Sequence, residues 1–180
     1  MAILKVARLG HPILRTETKS LDMSEIELPE TQRFIDDMIE TMREYDGVGL
    51  AATQVHVAKQ IAVIEVNGNP RYPDMASVPL TVLINPRITK RSKKYAEGWE
   101  GCLSIPDMRG AVPRNQSLSC EALDREGKPL KVEAKNFFAR VIQHECDHLQ
   151  GGVYVDRMPN LKTLTFLDEW SRYWVKESDE

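Results

Sequence analysis

Residues 143–149 read Gln143-His144-Glu145-Cys146-Asp147-His148-Leu149. The pattern is H-E-x-x-H. Positions four apart share one face of an α-helix, so the imidazoles of His144 and His148 can hold one metal ion. Glu145, one place after the first ligand, can reach a water beside that ion. The plain alternative is two surface histidines next to an acidic pair. Against it, these are two of only four histidines in the chain, and they lie in a strongly periodic helix. Asn136 is placed to cap that helix, which runs to about Gln150, and Gly151-Gly152 ends it.

Working outward, Ser117–Leu123 alternates and then meets Asp124-Arg125-Glu126-Gly127, a turn, with Leu130–Ala134 as the hairpin partner. Gln60–Val66 and Leu80–Ile84 are Val/Ile-rich runs that read as strands, the second closed by Asn85-Pro86. Between them, Asn67–Pro79 holds three prolines and reads as a surface loop. An N-terminal helix is predicted over Pro29–Tyr45, where Ile35, Met38, Ile39 and Met42 follow one helical face and Asp46-Gly47 stops it. A C-terminal helix is predicted over Leu161–Val175, with Phe166, Trp170, Tyr173 and Trp174 as a stripe packed into the core. The fold class is α+β: mixed or antiparallel β-sheets packed around a central H-E-x-x-H helix, with an N-terminal and a C-terminal helix. No repeat or linker divides the chain, so residues 1–180 are expected to form a single catalytic domain.

The composition narrows the function. Of 180 residues, 42% are apolar and 28% charged, an ordinary globular balance. Lys and Arg number 24 against 27 Asp and Glu, a net charge of −3, which argues against a specific nucleic-acid partner. No apolar run approaches the ~20 residues of a membrane helix, so no membrane association is expected. The opening Met1–Val6 has no signal-peptide character, and three cysteines make a poor disulfide framework. A reducing cytoplasm is the expected location.

Two histidines do not complete a catalytic metal site, which usually takes three protein ligands. Tyr154 stands where a metzincin has its third histidine, so that class is excluded. Glu169 is placed to complete a thermolysin-like, gluzincin-type peptidase site. A thiolate is the other option. Cys146 points about 200° round the helix from His144 and reads as a structural thiol. Cys120 sits inside a predicted strand. Cys102 lies in Trp99-Glu100-Gly101-Cys102-Leu103-Ser104, where glycine lets backbone approach a ligand closely. A third segment, Gly47-Val48-Gly49-Leu50-Ala51-Ala52-Thr53-Gln54, has the same small-residue character. On residue chemistry alone, Glu169 and Cys102 both stay open.

Taken together, the three segments resemble peptide deformylase. Its G-x-G-L-A-A-x-Q, E-G-C-L-S and H-E-x-D-H motifs stand here in that order, as Gly47–Gln54, Glu100–Ser104 and His144–His148. Gly10–Arg15, Gln143, Leu149, Gly151 and Tyr154-Val155-Asp156 match as well, so the likeness spans roughly residues 5–158. It departs at Asn136, where many members have glycine, and at the acidic end Lys176–Glu180, unlike the basic tail by which some bacterial members dock on the ribosome.

The resemblance implies a metal-dependent hydrolase that removes the formyl group from N-formyl-methionine on new polypeptides and releases formate. It assigns one divalent metal to Cys102, His144 and His148, most often Fe²⁺ in the cell, with Zn²⁺, Ni²⁺ or Co²⁺ able to substitute. Glu145 becomes the general base and then the acid. The Leu103 backbone N–H and the Gln54 amide face the developing oxyanion. N-formyl-methionyl nascent peptides are the expected partners, with transient ribosome association. An extended substrate would lie along Val48-Gly49, with Val48, Val141 and Ile142 as candidates for the methionine pocket. Arg109 matches a family arginine near the peptide path. Glu100 and Arg114 are candidates to pair behind the site. His11 and His56 read as structural or solvated. A non-catalytic metal-binding module is the remaining rival, and the intact Glu145 and Gln54 argue against it.

Overall fold

A computed structural model describes residues 2–68 and 75–175; the acidic tail and part of the proline-bearing loop lie outside the described residues. In chain order the elements are α1 (Met23–Ile26), α2 (Pro29–Glu44), β1 (Gly49–Ala51), β2 (Ile61–Val66), β3 (Val78–Arg91), β4 (Tyr95–Cys102), β5 (Ile105–Asn115), β6 (Ser117–Leu123), β7 (Pro129–Lys135), α3 (Asn136–Leu149), β8 (Thr165–Phe166) and α4 (Leu167–Tyr173). A five-stranded sheet runs β1-β2-β3-β6-β7 and a three-stranded one β4-β5-β8. Every strand pairing is antiparallel. The α+β architecture around a central motif helix is the one expected. No described helix is long and apolar enough to cross a membrane.

The larger sheet is covered on both faces, which explains why β2 reads as an unbroken apolar run. Ile61 and Val63 face α2, packing with Ile35, Met38, Ile39 and Met42. Ile64 and Val66 face the other way, towards Val141, Ile142 and Cys146 of α3. That helix is buried from Val141 to Leu149, so the metal motif stands in the core. His11 caps a 3₁₀ turn at Pro12–Arg15, and its ring meets His56 edge-on at 4.8 Å. Both histidines are structural, as their surroundings in the sequence imply.

Three expectations need correction. First, the strand around Leu80–Ile84 does not stop at Asn85-Pro86 but continues to Arg91. Asn85 takes a left-handed φ of 53° and the β3–β6 register shifts between Ile84 and Arg87. The bulge leaves Pro86 outside regular pairing, where its missing N–H is harmless. The Asn85 amide uses the bulge to bond both the N–H and the carbonyl of Leu21 at 2.8 Å.

Second, the predicted C-terminal helix is broken. Leu161–Thr163 is a 3₁₀ turn, Thr165–Phe166 pairs with Met108 and Arg109 of β5, and only Leu167–Tyr173 is α-helical. Strand pairing of the β-branched Thr165 overrides the helical spacing of the aromatics. Phe166, Tyr173 and Trp174 are 64%, 69% and 48% exposed, so the stripe is a surface and not a core.

Third, Asn136 does not act as a cap. Lys135 holds that place, and Asn136 has φ +52° at the corner between β7 and α3. Its N–H bonds the Gln116 carbonyl at 2.7 Å, which locks the corner. A left-handed residue costs most side chains ~1–2 kcal/mol, glycine nothing and asparagine little, which accounts for the exchange with glycine. Asn136→Val should therefore lower the unfolding free energy by about 1–2 kcal/mol, while Asn136→Gly stays within about 0.5 kcal/mol. Urea denaturation of the two variants checks this.

Candidate metal centre

The helical spacing of His144 and His148 sets their rings 4.9 Å apart, edge to face. The third group comes from the tight reversal joining β4 to β5, where Cys102 pairs with Ile105. Cys102 Sγ lies 3.2 Å from His148 Nε2. Ligand atoms of Cys102, His144 and His148 all fall within 4.8 Å of one another, and all three residues are buried. Glu169 sits on α4, exposed and 3.7 Å from Arg172. Cys146 turns away into the core, in the same cluster as Cys120. Tyr154, in the metzincin position, is buried with its ring stacked 6.3 Å from His144.

Charged groups behind His144 fix its orientation. Glu100, on the same face of β4 as Cys102, accepts from His144 Nδ1 at 2.9 Å, which leaves Nε2 for the ion. The same carboxylate accepts two bonds from Arg114, at 2.9 and 3.0 Å, and one from Arg140 at 2.8 Å. Arg114 reaches on to Asp147 at 2.6 Å, and Arg157 bonds Asp147 from the solvent side at 2.7 Å. Burial alone would raise the Glu100 pKa; His144 and Arg114 hold it well below the usual carboxylate range. The pairing of Glu100 with Arg114 is thus present and extends further than the sequence indicates.

The electrostatics suit a cation. Burial alone would push the Cys102 thiol up, but the His148 and His144 rings bring it well below the ordinary thiol range, which favours the thiolate form. Glu145 is buried beside them. Its Oε2 has no hydrogen-bond partner among the described residues, and burial pushes its pKa up to about 7. A buried, unpartnered carboxylate oxygen is costly unless a cation, water or substrate answers it. One thiolate and two imidazoles, closely grouped with an open side, fit a divalent metal with a coordination position to spare.

The cavity at this centre is lined by Val48, Gly49, Gln54, Cys102, Leu103, Val141, His144 and Glu145, among others. Gln54 accepts from the Ala51 N–H at 2.8 Å and points its Nε2 at Cys102 Sγ and Ser104 Oγ, 3.3 Å from each. A Cβ at Gly49 would displace the Glu145 carboxylate, which occupies the space beside it. Arg109 is outside the lining: it is buried, and its guanidinium fills the space that a side chain at Gly101 would need. Ile142 belongs to the core with Ile64 and Leu83 and not to the cavity wall.

Trp99, Phe137 and Arg140 line the cavity and were missed by sequence reasoning. Phe137 and Arg140 precede Val141 and His144 by four, so helical spacing carried the signal for both. Trp99 carried none, because β4 itself was not recognised.

Comparison with known proteins agrees with this geometry. A family model described as polypeptide deformylase matches residues 3–164. Peptide deformylase 1 of Nitrosomonas europaea is 42% identical over 166 residues, 92% of this chain and 93% of that protein. Peptide deformylase 2 of Pseudomonas putida is 49% identical over 139 residues, 77% of this chain and 78% of its own. The crystal structure of class I type b peptide deformylase from Acinetobacter baumannii with Met-Ala-Ser bound superposes with a TM-score of 0.85 at 36% identity, covering 87% of this chain and 99% of that one. With motifs, fold and donor set in agreement, the chain belongs to the polypeptide deformylase family, hydrolases that remove the formyl group from newly made polypeptides.

Proposed function

We propose that Cys102, His144 and His148 hold the divalent ion of this deformylase, and that Glu145 moves the protons as N-formyl-methionyl peptides are hydrolysed to formate and a free amine. The observation that carries this reading is the orphaned Glu145 Oε2, buried beside a thiolate and two imidazoles. A divalent ion held there supplies Lewis acidity, making water more acidic and polarising the formyl carbonyl.

Glu145 takes a proton from the attacking water as the new C–O bond forms. It returns that proton to the nitrogen as the C–N bond breaks, so that formate and the amine leave. Such proton transfer contributes ~10²–10⁴-fold. Gln54 Nε2 and the Leu103 N–H donate to the formyl oxygen as its charge grows, a contribution of ~10²–10³-fold for one such donor.

Among the described residues β1 pairs with no strand but β2, and β4 with none but β5, so two sheet edges border the cavity, the β4 edge being partly taken by Arg140, which donates to the Ala96 and Gly98 carbonyls. An extended peptide adds between them through its backbone. Val48 and Gly49 take one side, and Arg109 supports the other from behind Gly101. The methionine side chain enters between Val48, Val141 and Phe137, the last two on the cavity face of α3.

The reading includes one catalytic domain over residues 1–180, action in the cytoplasm and transient association with the ribosome. Fe²⁺ is the proposed cellular ion, on the family resemblance, with Zn²⁺, Ni²⁺ or Co²⁺ as substitutes.

Assay on formyl-Met-Ala-Ser and on an unformylated peptide should give formate from the first and no cleavage of the second. Cys102→Ala should lose metal by elemental analysis together with activity, while Glu169→Ala keeps both. The reverse pattern would replace the deformylase reading with a gluzincin one. Glu145→Gln should keep fold and metal but lose about 10²-fold or more in kcat. Gly49→Ala, which displaces the same carboxylate, should also lower kcat with metal retained. Near-normal turnover in both would remove Glu145 as the base. Fe²⁺ protein prepared without air should be more active than the Zn²⁺ form and should decay in air with oxidation of Cys102, readable by mass spectrometry. Equal activity and lifetime of the two forms would remove iron and leave the hydrolysis standing.

A further inference from the structure

Successive side chains of β4 point to opposite faces. Glu100 and Cys102 face the metal centre, and a side chain at Gly98 would run into Arg140 of α3. Trp99 and Gly101 face the other way. On that outer face the Trp99 ring meets Trp174 edge-on at 5.1 Å and Trp170 at 6.1 Å. The Arg109 guanidinium lies over the Trp170 ring at 5.6 Å and also fills the space behind Gly101. The pairing of β8 with Met108 and Arg109 brings this segment into place. Trp170 and Trp174 lie beyond residue 164, where the family match ends.

Trp99 also lines the metal cavity. The aromatic cluster therefore adjoins the path proposed for the substrate. An extended peptide whose first side chain enters the cavity towards α3 turns its second to the opposite face, by the same period of two. Trp99 stands on that face, and Trp174, 48% exposed, offers it free aromatic surface.

We propose that Trp99 and Trp174 form a second side-chain subsite, for a large apolar or aromatic side chain at residue 2 of the formylated peptide. Trp170, held under Arg109, is the positioning residue that sets the Trp99 ring. The subsite rests on the deformylase reading above and adds to it a preference for the residue that follows methionine.

The test compares kcat/KM for formyl-Met-Trp-Ser and formyl-Met-Ala-Ser. The native protein should favour the tryptophan peptide by about fivefold, through KM and not kcat, within the range of one aromatic contact. Trp174→Ala should bring the ratio close to one, and Trp174→Phe should keep most of it. Equal kcat/KM in the native protein overturns the subsite, as does a preference that survives in Trp174→Ala. Release of formate from neither peptide overturns the deformylase reading and the subsite with it, whereas release from both at equal efficiency overturns the subsite alone.

Discussion

The Glu100 carboxylate joins the two halves of the molecule. It stands on β4 of the smaller sheet and bonds His144 and Arg140 of α3, the helix buried against the larger one. Its remaining capacity is taken by Arg114 of β5. Removing one partner from such a buried cluster leaves a charge uncompensated, at a cost of ~3–5 kcal/mol. A well-packed apolar replacement could recover the stability. It could not hold His144 Nδ1 and so direct Nε2 at the ion. The cluster is therefore better understood through what it orients than through what it stabilises. Asp147 extends the tie: three residues after His144 and next to His148 in sequence, it anchors Arg114 from the helix side.

Glu145 shows the opposite choice. Every oxygen of Glu100 is answered by a cation or ring N–H, whereas Glu145 is buried beside it with an oxygen left unpartnered. Two carboxylates on neighbouring elements are thus separated in behaviour by their surroundings. Glu100 is held ionised by His144 and Arg114, and Glu145 is pushed up to about 7 by burial. The first is a fixed support. The second is set where a proton can be taken up and given back near neutral pH. Stability is sacrificed at Glu145, as functional sites commonly require.

The elements legible in the sequence are those with one dominant local signal. α2, α3 and the β6–β7 hairpin follow from periodicity and turn chemistry. β4 and β5 gave no such signal, because Gly98, Gly101, Pro106, Gly110 and Pro113 interrupt them. These residues are tolerated for tertiary reasons: Arg140 occupies the space beside Gly98 and Arg109 that beside Gly101. The candidate metal ligands on α3, His144 and His148, were readable from helical spacing alone. Cys102 was not, since it comes from the unrecognised hairpin, and only the family motif separated it from Glu169. The aromatics after Phe166 were misread because helical spacing says which residues share a face and not whether anything covers it. Here β8 pairing diverts the chain before a long helix can form.

Free strand edges are normally a hazard, inviting association with other chains. Here β1 and β4 turn their edges towards a common gap that leads to the metal centre. Gly49 and Gly101 flank it, and a side chain at either would have to displace a neighbour, because Glu145 fills the space beside one and Arg109 the space beside the other. The close approach of Glu145 and Arg109 thus favours bare backbone in the cleft walls at those two points. Backbone walls recognise any extended peptide through its amides, whatever its side chains. An enzyme acting on many different new polypeptides needs that tolerance. Discrimination must then come from side-chain pockets set off the edges, into α3 on one face of β4 and towards the tryptophans on the other.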